Sequence, residues 1–170
     1  MLKTLRQIAR IGVASEPPPA PDPSLLSAEQ LHAELWRILG RALCLRMVDA
    51  GSCNACELEV QALGNPYYNI EGLGIRFVAS PRHADVLLVS GPVGRNMEQA
   101  LRRTWAAMPD PKRVVAIGDC AACGGVFGTS YACHGGAARV IPVDVTIPGC
   151  PPSPTQLLRG ILAAAGARPS

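Results

Sequence analysis

Apolar and polar positions along the chain follow two alternating rhythms. Near-continuous apolar runs bounded by turn residues occur at Cys44 to Asp49, Asp85 to Gly91, Lys112 to Gly118 and Val140 to Ile147. Such runs suit strands buried on both faces, as in a parallel sheet. A shorter stretch, Gly74 to Ala79, predicts an edge strand. Other segments carry apolar residues at helical spacing. Ser27 with Gln30 forms a capping box, and Leu31, Leu35, Ile38 and Leu39 then share one helical face up to Gly40 or Arg41. Glu57 to Leu63, stopped by Gly64, and Met97 to Met108 predict further helices. Ser153-Pro154-Thr155-Gln156 joins a capping serine, proline at the first helical position and glutamine three on, so it starts a last helix ending near Gly166. Strands alternating with helices predict an α/β fold on a doubly wound parallel sheet.

The amino terminus breaks this rhythm. Met1 to Val13 places Leu2, Leu5, Ile8, Ala9 and Val13 on one helical face, with Lys3, Arg6 and Arg10 elsewhere. That pattern predicts a short amphipathic helix for a membrane surface or a partner's groove. Glu16 to Pro23 holds five prolines and reads as a stiff extended linker. Residues 1–23 are therefore expected to form an arm, and residues 24–170 one folded domain.

Composition narrows the classes. A chain of 170 residues is long enough for one well-buried core. The net charge of +3 is mild, and no basic stripe interleaved with aromatics suggests nucleic acid. No apolar run approaches the roughly 20 residues that span a bilayer. The first residues lack the pattern of a secretory leader. A cytosolic setting is expected, in which seven cysteines point to metal or redox chemistry rather than disulfides.

Their positions relative to the strands carry the chemistry. Cys53 and Cys56 follow the first strand, Cys120 follows the Val114–Ile117 run, and Cys150 follows the run ending at Ile147. Parallel strand ends share one edge, which is where ligands bind in open α/β sheets. Four thiols from three distant segments would converge there. Each lies beside a glycine (Gly51, Gly118, Gly149) that lets backbone N–H groups approach something negative. Cys150 precedes Pro151, like the Cys-Pro ending of ferredoxin ligand runs. The pattern favours a cubane iron–sulfur cluster. A four-cysteine zinc site using Cys120-Ala121-Ala122-Cys123 remains open, although its pairs stand far further apart than in zinc ribbons and Cys150 is left over. A thioredoxin-like dithiol also remains open. Cys44, Cys123 and Cys133 are read as small buried or loop thiols, and His32, His83 and His134 as non-ligands.

Four segments in order carry a resemblance: Asp49-Ala50-Gly51-Ser52-Cys53-Asn54-Ala55-Cys56-Glu57-Leu58-Glu59, Ser80-Pro81-Arg82-His83-Ala84-Asp85, Gly118-Asp119-Cys120-Ala121, and Ile147-Pro148-Gly149-Cys150-Pro151-Pro152. From Leu43 to Leu162 the sequence resembles the small cluster-bearing subunit shared by respiratory complex I (its 20 kDa, or B, subunit) and membrane-bound nickel–iron hydrogenases. The resemblance implies a flavodoxin-like fold, helices on both faces of the sheet, and one 4Fe-4S cluster held by Cys53, Cys56, Cys120 and Cys150. Complex I subunits carry adjacent cysteines in the first motif. The C-x-x-C here resembles instead the small subunit of formate-hydrogenlyase or hydrogenase-4-type enzymes.

The family implies electron transfer between a ferredoxin-like 4Fe-4S subunit and the nickel–iron site of a large subunit, in a complex with membrane subunits on the cytoplasmic side of the inner membrane. The sequence stops at Ser170 without the cysteine-rich domain of dimeric uptake hydrogenases, so a separate ferredoxin-like subunit is the expected donor. The alternatives are a complex I-type subunit delivering electrons to quinone, and a zinc-stabilised scaffold without redox work. No catalytic residue is expected in this chain. Arg82 matches the family's cluster-adjacent arginine and is expected to tune the cluster, while Glu59, one helical turn from Cys56, is a candidate proton relay or partner contact. Asp49, Glu71 and Asp119 are read as turn or surface residues.

Overall fold

The computed structural model describes residues 2–11, 33, 37 and 40–166. The expected linker, the boundary at residue 24 and the Ser27 capping box lie outside those residues. Of the helix expected after them, only Ala33 and Arg37 are described, both helical and exposed. The amino-terminal helix is present as α1 (Leu2–Ile11), with Leu2 and Leu5 exposed.

Five strands form one parallel sheet: β1 (Leu43–Asp49), β2 (Ile75–Phe77), β3 (Val86–Ser90), β4 (Arg113–Ile117) and β5 (Val145–Ile147). Their spatial order is β2-β1-β3-β4-β5. This is the flavodoxin-like order, whose direction of winding reverses between β1 and β3. The helices that follow are α2 (Ala55–Ala62), α3 (Arg95–Ala107), α4 (Gly118–Cys123) and α5 (Pro154–Gly166).

Alternation along the strands assigns the two faces. Val86, Leu88, Val115 and Ile117 pack with Cys56, Val60 and Leu63 of the α2 segment and with Leu157, Ile161 and Ala164 of α5. Leu87, Val89, Val114 and Ala116 pack with Leu101 of α3 and Ala121 of α4. Every residue of β3 is buried, which explains why its sequence shows no polar alternation. Burying each such Leu, Ile or Val contributes about 1.5–3 kcal/mol.

One expected element shrinks. The run from Val140 to Ile147 yields strand only at Val145–Ile147, after a 3₁₀ turn at Ala137–Arg139. Pro142 has no N–H for a ladder. Asp144 then anchors the chain differently: its N–H donates to the Val114 carbonyl at 2.9 Å, and its carboxylate accepts from the Val114 N–H at 2.7 Å. The last helix begins as its sequence predicts. Ser153 N–H donates to Gln156 Oε1 at 2.8 Å, and Gln156 N–H to Ser153 Oγ at 3.4 Å.

On α3, Glu98 accepts from Arg102 Nε at 3.0 Å and lies 2.8 Å from His134 Nε2. The Arg102 hydrogen bond chiefly holds the Glu98 carboxylate below its ordinary 4.5, with the charge of His134 adding to it. A depressed folded value means that this contribution is present above about pH 4.5 and is lost as the pH falls through the folded value. The stability gap between the protein and its Glu98→Gln variant is therefore expected at neutral pH and to close on acidification. Urea midpoints measured across that range check it; an unchanged gap at about pH 3 would refute the assignment.

Candidate metal centre

Three turns build one rim beyond the carboxyl ends of the strands. The first leaves β1. Asp49 Oδ1 accepts the N–H groups of Gly51 and Ser52, both at 2.8 Å, which bends the chain sharply ahead of Cys53. Ser52 Oγ accepts from the Asn54 N–H at 3.1 Å, and Asn54, left-handed at φ 72°, leads into α2. Cys53 is exposed at the turn, and Cys56 is buried in the first helical turn.

The second turn leaves β4. Gly118, at φ +78°, sits where an added Cβ would stand 2.8 Å from Cys56 Sγ and 3.1 Å from the Gly149 carbonyl. Absence of a side chain thus lets the Cys56 thiol and the third turn close over the end of β4. Cys120 follows on α4, buried. The third turn leaves β5 and presents Cys150, exposed. The second and third turns are joined by a reciprocal pair of bonds. Asp119 N–H donates to the Gly149 carbonyl at 2.9 Å, and Gly149 N–H donates to Asp119 Oδ1 at 2.9 Å.

Electrostatics couples these groups. Burial pushes the Cys56 thiol up to about 11, followed by the field of Glu57 and then of Cys120, Cys53 and Cys150. Burial also raises Cys120, with Cys150 and Cys53 next in effect. The fields of Cys53 and Cys150 thus reach both buried thiols, and that of Cys123 reaches Cys120. A thiolate at Cys56 is disfavoured there unless a cation compensates it. Among the described residues, no three His, Cys, Asp or Glu side chains converge closely enough to hold a single metal ion.

Other expected residues lie elsewhere. Arg82 stands in the turn Pro81–His83, which precedes β3, at the sheet edge opposite the cysteines. There it lines a cavity of about 300 Å³ with Arg41, Cys44, Arg76, His83 and Pro109. Its expected seat beside the cysteines is not where this fold puts it, because the cysteine turns follow their strands and this one leads into its strand. Within the cavity, Arg76 Nε donates to Cys44 Sγ at 3.5 Å. Cys123 is exposed and its thiol donates to the Asp119 carbonyl at 3.4 Å. Cys133 is part-buried and forms an isolated bridge with Gly94.

Glu59 is half-buried on α2, while its neighbour Glu57 is 8% exposed and accepts a hydrogen bond from Ser90 Oγ. One oxygen of Glu57 is enclosed without a partner among the described residues. Glu57, Ser90 and the bonding of Asp119 are not among the features expected from the sequence. A signal existed for Ser90, the single polar residue closing an otherwise apolar buried run.

The fold and its rim define an α/β domain with four cysteines on the turns beyond the carboxyl ends of its strands. The chain belongs to the family described as NADH ubiquinone oxidoreductase, 20 Kd subunit, which matches residues 53–164. Among curated relatives, formate hydrogenlyase subunit 7 of Escherichia coli is 42% identical over 82% of this chain and 55% of that protein. The chain thus spans about half of that relative's length. A probable membrane-bound hydrogenase subunit of Pyrococcus furiosus is 43% identical over 80% of this chain and 81% of that protein. Among solved structures, a chain of the membrane-bound sulfane sulfur reductase, an archaeal respiratory membrane complex, matches with TM-score 0.65 and 30% identity, covering 79% of this chain and 73% of that one. An NAD⁺-reducing [NiFe]-hydrogenase chain shares the fold at TM-score 0.60 and 17% identity, covering 76% and 95%.

Proposed function

We propose that this chain is the electron-transfer subunit of a membrane-bound hydrogenase-type complex, carrying one 4Fe-4S cluster on Cys53, Cys56, Cys120 and Cys150. The observation that carries the reading is the rim itself: four thiols on three turns at the carboxyl ends of the strands, two buried and two exposed. When bound, the cluster supplies one-electron redox chemistry at low potential. The protein's part is to hold and shield it. Cys56 and Cys120 anchor it from the buried side, Cys53 and Cys150 from the exposed side, and the glycines at the strand ends let backbone come close.

The exposed side is the natural approach for partners. A ferredoxin-like subunit would deliver electrons and a large subunit with a nickel–iron site would receive them. Association with the membrane would be peripheral, on the cytoplasmic side. Among the described residues no helix is long and apolar enough to cross a membrane, and α1 offers exposed Leu2 and Leu5 with Lys3, Arg6 and Arg10 for surface contact.

Anaerobic purification of the complex, with metal and sulfide analysis and low-temperature EPR, tests the reading. About four irons and four sulfides per copy of this chain, beyond those of the ferredoxin-like subunit, are expected, together with nickel in the large subunit. Zinc without sulfide would establish the scaffold alternative. A cluster without nickel in the partner would move the acceptor to a quinone or a sulfur compound.

A further inference from the structure

The turn bearing Cys150 has unusually few ways to be fastened. In Pro148-Gly149-Cys150-Pro151-Pro152 the three prolines carry no N–H, which leaves backbone donors only on Gly149 and Cys150. The β4–β5 ladder has its last register pair at Ile117 and Ile147 and cannot be extended by Pro148. The next donor along the chain, the Gly149 N–H, is taken by Asp119 Oδ1 at 2.9 Å, and the Gly149 carbonyl accepts the Asp119 N–H at the same distance. Gly149 itself, at φ +133° and packed so that an added Cβ would stand 2.7 Å from Pro152 Cα, has little freedom to seek another partner. One residue, directly preceding Cys120, therefore sets where the backbone before Cys150 stands.

We propose that Asp119 is a positioning residue for the metal centre, fixing the spacing of the Cys120 and Cys150 thiols through its side-chain acceptor. The inference rests on the proposed ligand set. Oδ1 is the atom that matters, because the main-chain half of the link survives any substitution. Asparagine keeps an oxygen acceptor in the same place and removes the negative charge; alanine removes both.

The test uses the full chain, purified anaerobically with its cluster, and three variants: Asp119→Asn, Asp119→Ala and Cys150→Ala. Readouts are the rate of iron release to a strong chelator, the EPR line shape of the reduced protein and its midpoint potential. Asp119→Ala is expected to release iron at least about tenfold faster and to broaden the EPR signal, with its circular dichroism unchanged. Asp119→Asn should hold iron as the parent does, while its potential moves upward because a negative neighbour is gone. Release from Asp119→Ala at the parent rate, or from Asp119→Asn as fast as from Asp119→Ala, would overturn the proposal. Cys150→Ala separates the two levels. Loss of the cluster there with Asp119→Ala behaving as parent refutes Asp119 alone, whereas an intact cluster in Cys150→Ala refutes the ligand set beneath it.

Discussion

Replacing Cys150 by alanine is expected to abolish the four-iron form of the centre while leaving the fold standing. The two consequences separate because of where the residue sits. Cys150 is exposed and belongs to neither face of the hydrophobic core, so its truncation should cost no more than about 0.5 kcal/mol. Its thiol, in contrast, is one of four in the proposed cage, and no equivalent donor stands ready on that turn. Iron and sulfide should fall below the parent's content, and the EPR signal of the reduced parent should vanish, while the urea midpoint of the variant should match that of the parent stripped of its cluster. Parent-level iron with an unchanged spectrum would remove Cys150 from the ligand set. The same change at Cys56 would be less informative, because that buried residue also packs in the core.

Gly118→Ala is expected to act from beneath the centre. The residue holds φ +78°, and a side chain there costs about 1–2 kcal/mol in backbone strain. The new methyl would also stand 2.8 Å from Cys56 Sγ and 3.1 Å from the Gly149 carbonyl. Something must shift, and both neighbours belong to the proposed site. The strain alone lowers the thermal midpoint by about 2–8 °C. The displacement should in addition weaken iron retention about tenfold or more, in the range seen when supporting contacts of a metal site are disturbed. Gly40→Ala is the control, since Gly40 is also left-handed at φ +63° but an added Cβ there meets nothing within 4 Å. It should reproduce the thermal effect without the iron effect. Equal iron retention in the two variants would show that Gly118 serves the turn and not the thiol beside it.

Much of the scaffold could be read from the chain itself. β3 and β4 were legible because a strand buried on both faces has no reason to alternate, and α5 because Ser153, Pro154 and Gln156 satisfy its first donors locally. The region before β5 misled because an apolar run says nothing about which hydrogen bonds are available, and Pro142 and Asp144 redirected it. Arg82 was expected beside the cysteines from the resemblance alone, and only the chain order of the sheet shows that its turn, Pro81–His83, leads into β3 while the cysteine turns follow their strands.

The sequence alone determined the alternation of strands and helices, and with it that four cysteines follow strand ends, because burial and capping are local demands written in residue order. Only the tertiary structure decided which groups share that rim's interior: that Glu57 rather than Glu59 is enclosed, that Asp119 grips the turn of Cys150, and that Gly118 makes room for Cys56. Those relations join segments some 30 to 60 residues apart. They exist only once the sheet has set its order, because hydrogen bonds and close contacts depend on distance in space and not on spacing along the chain.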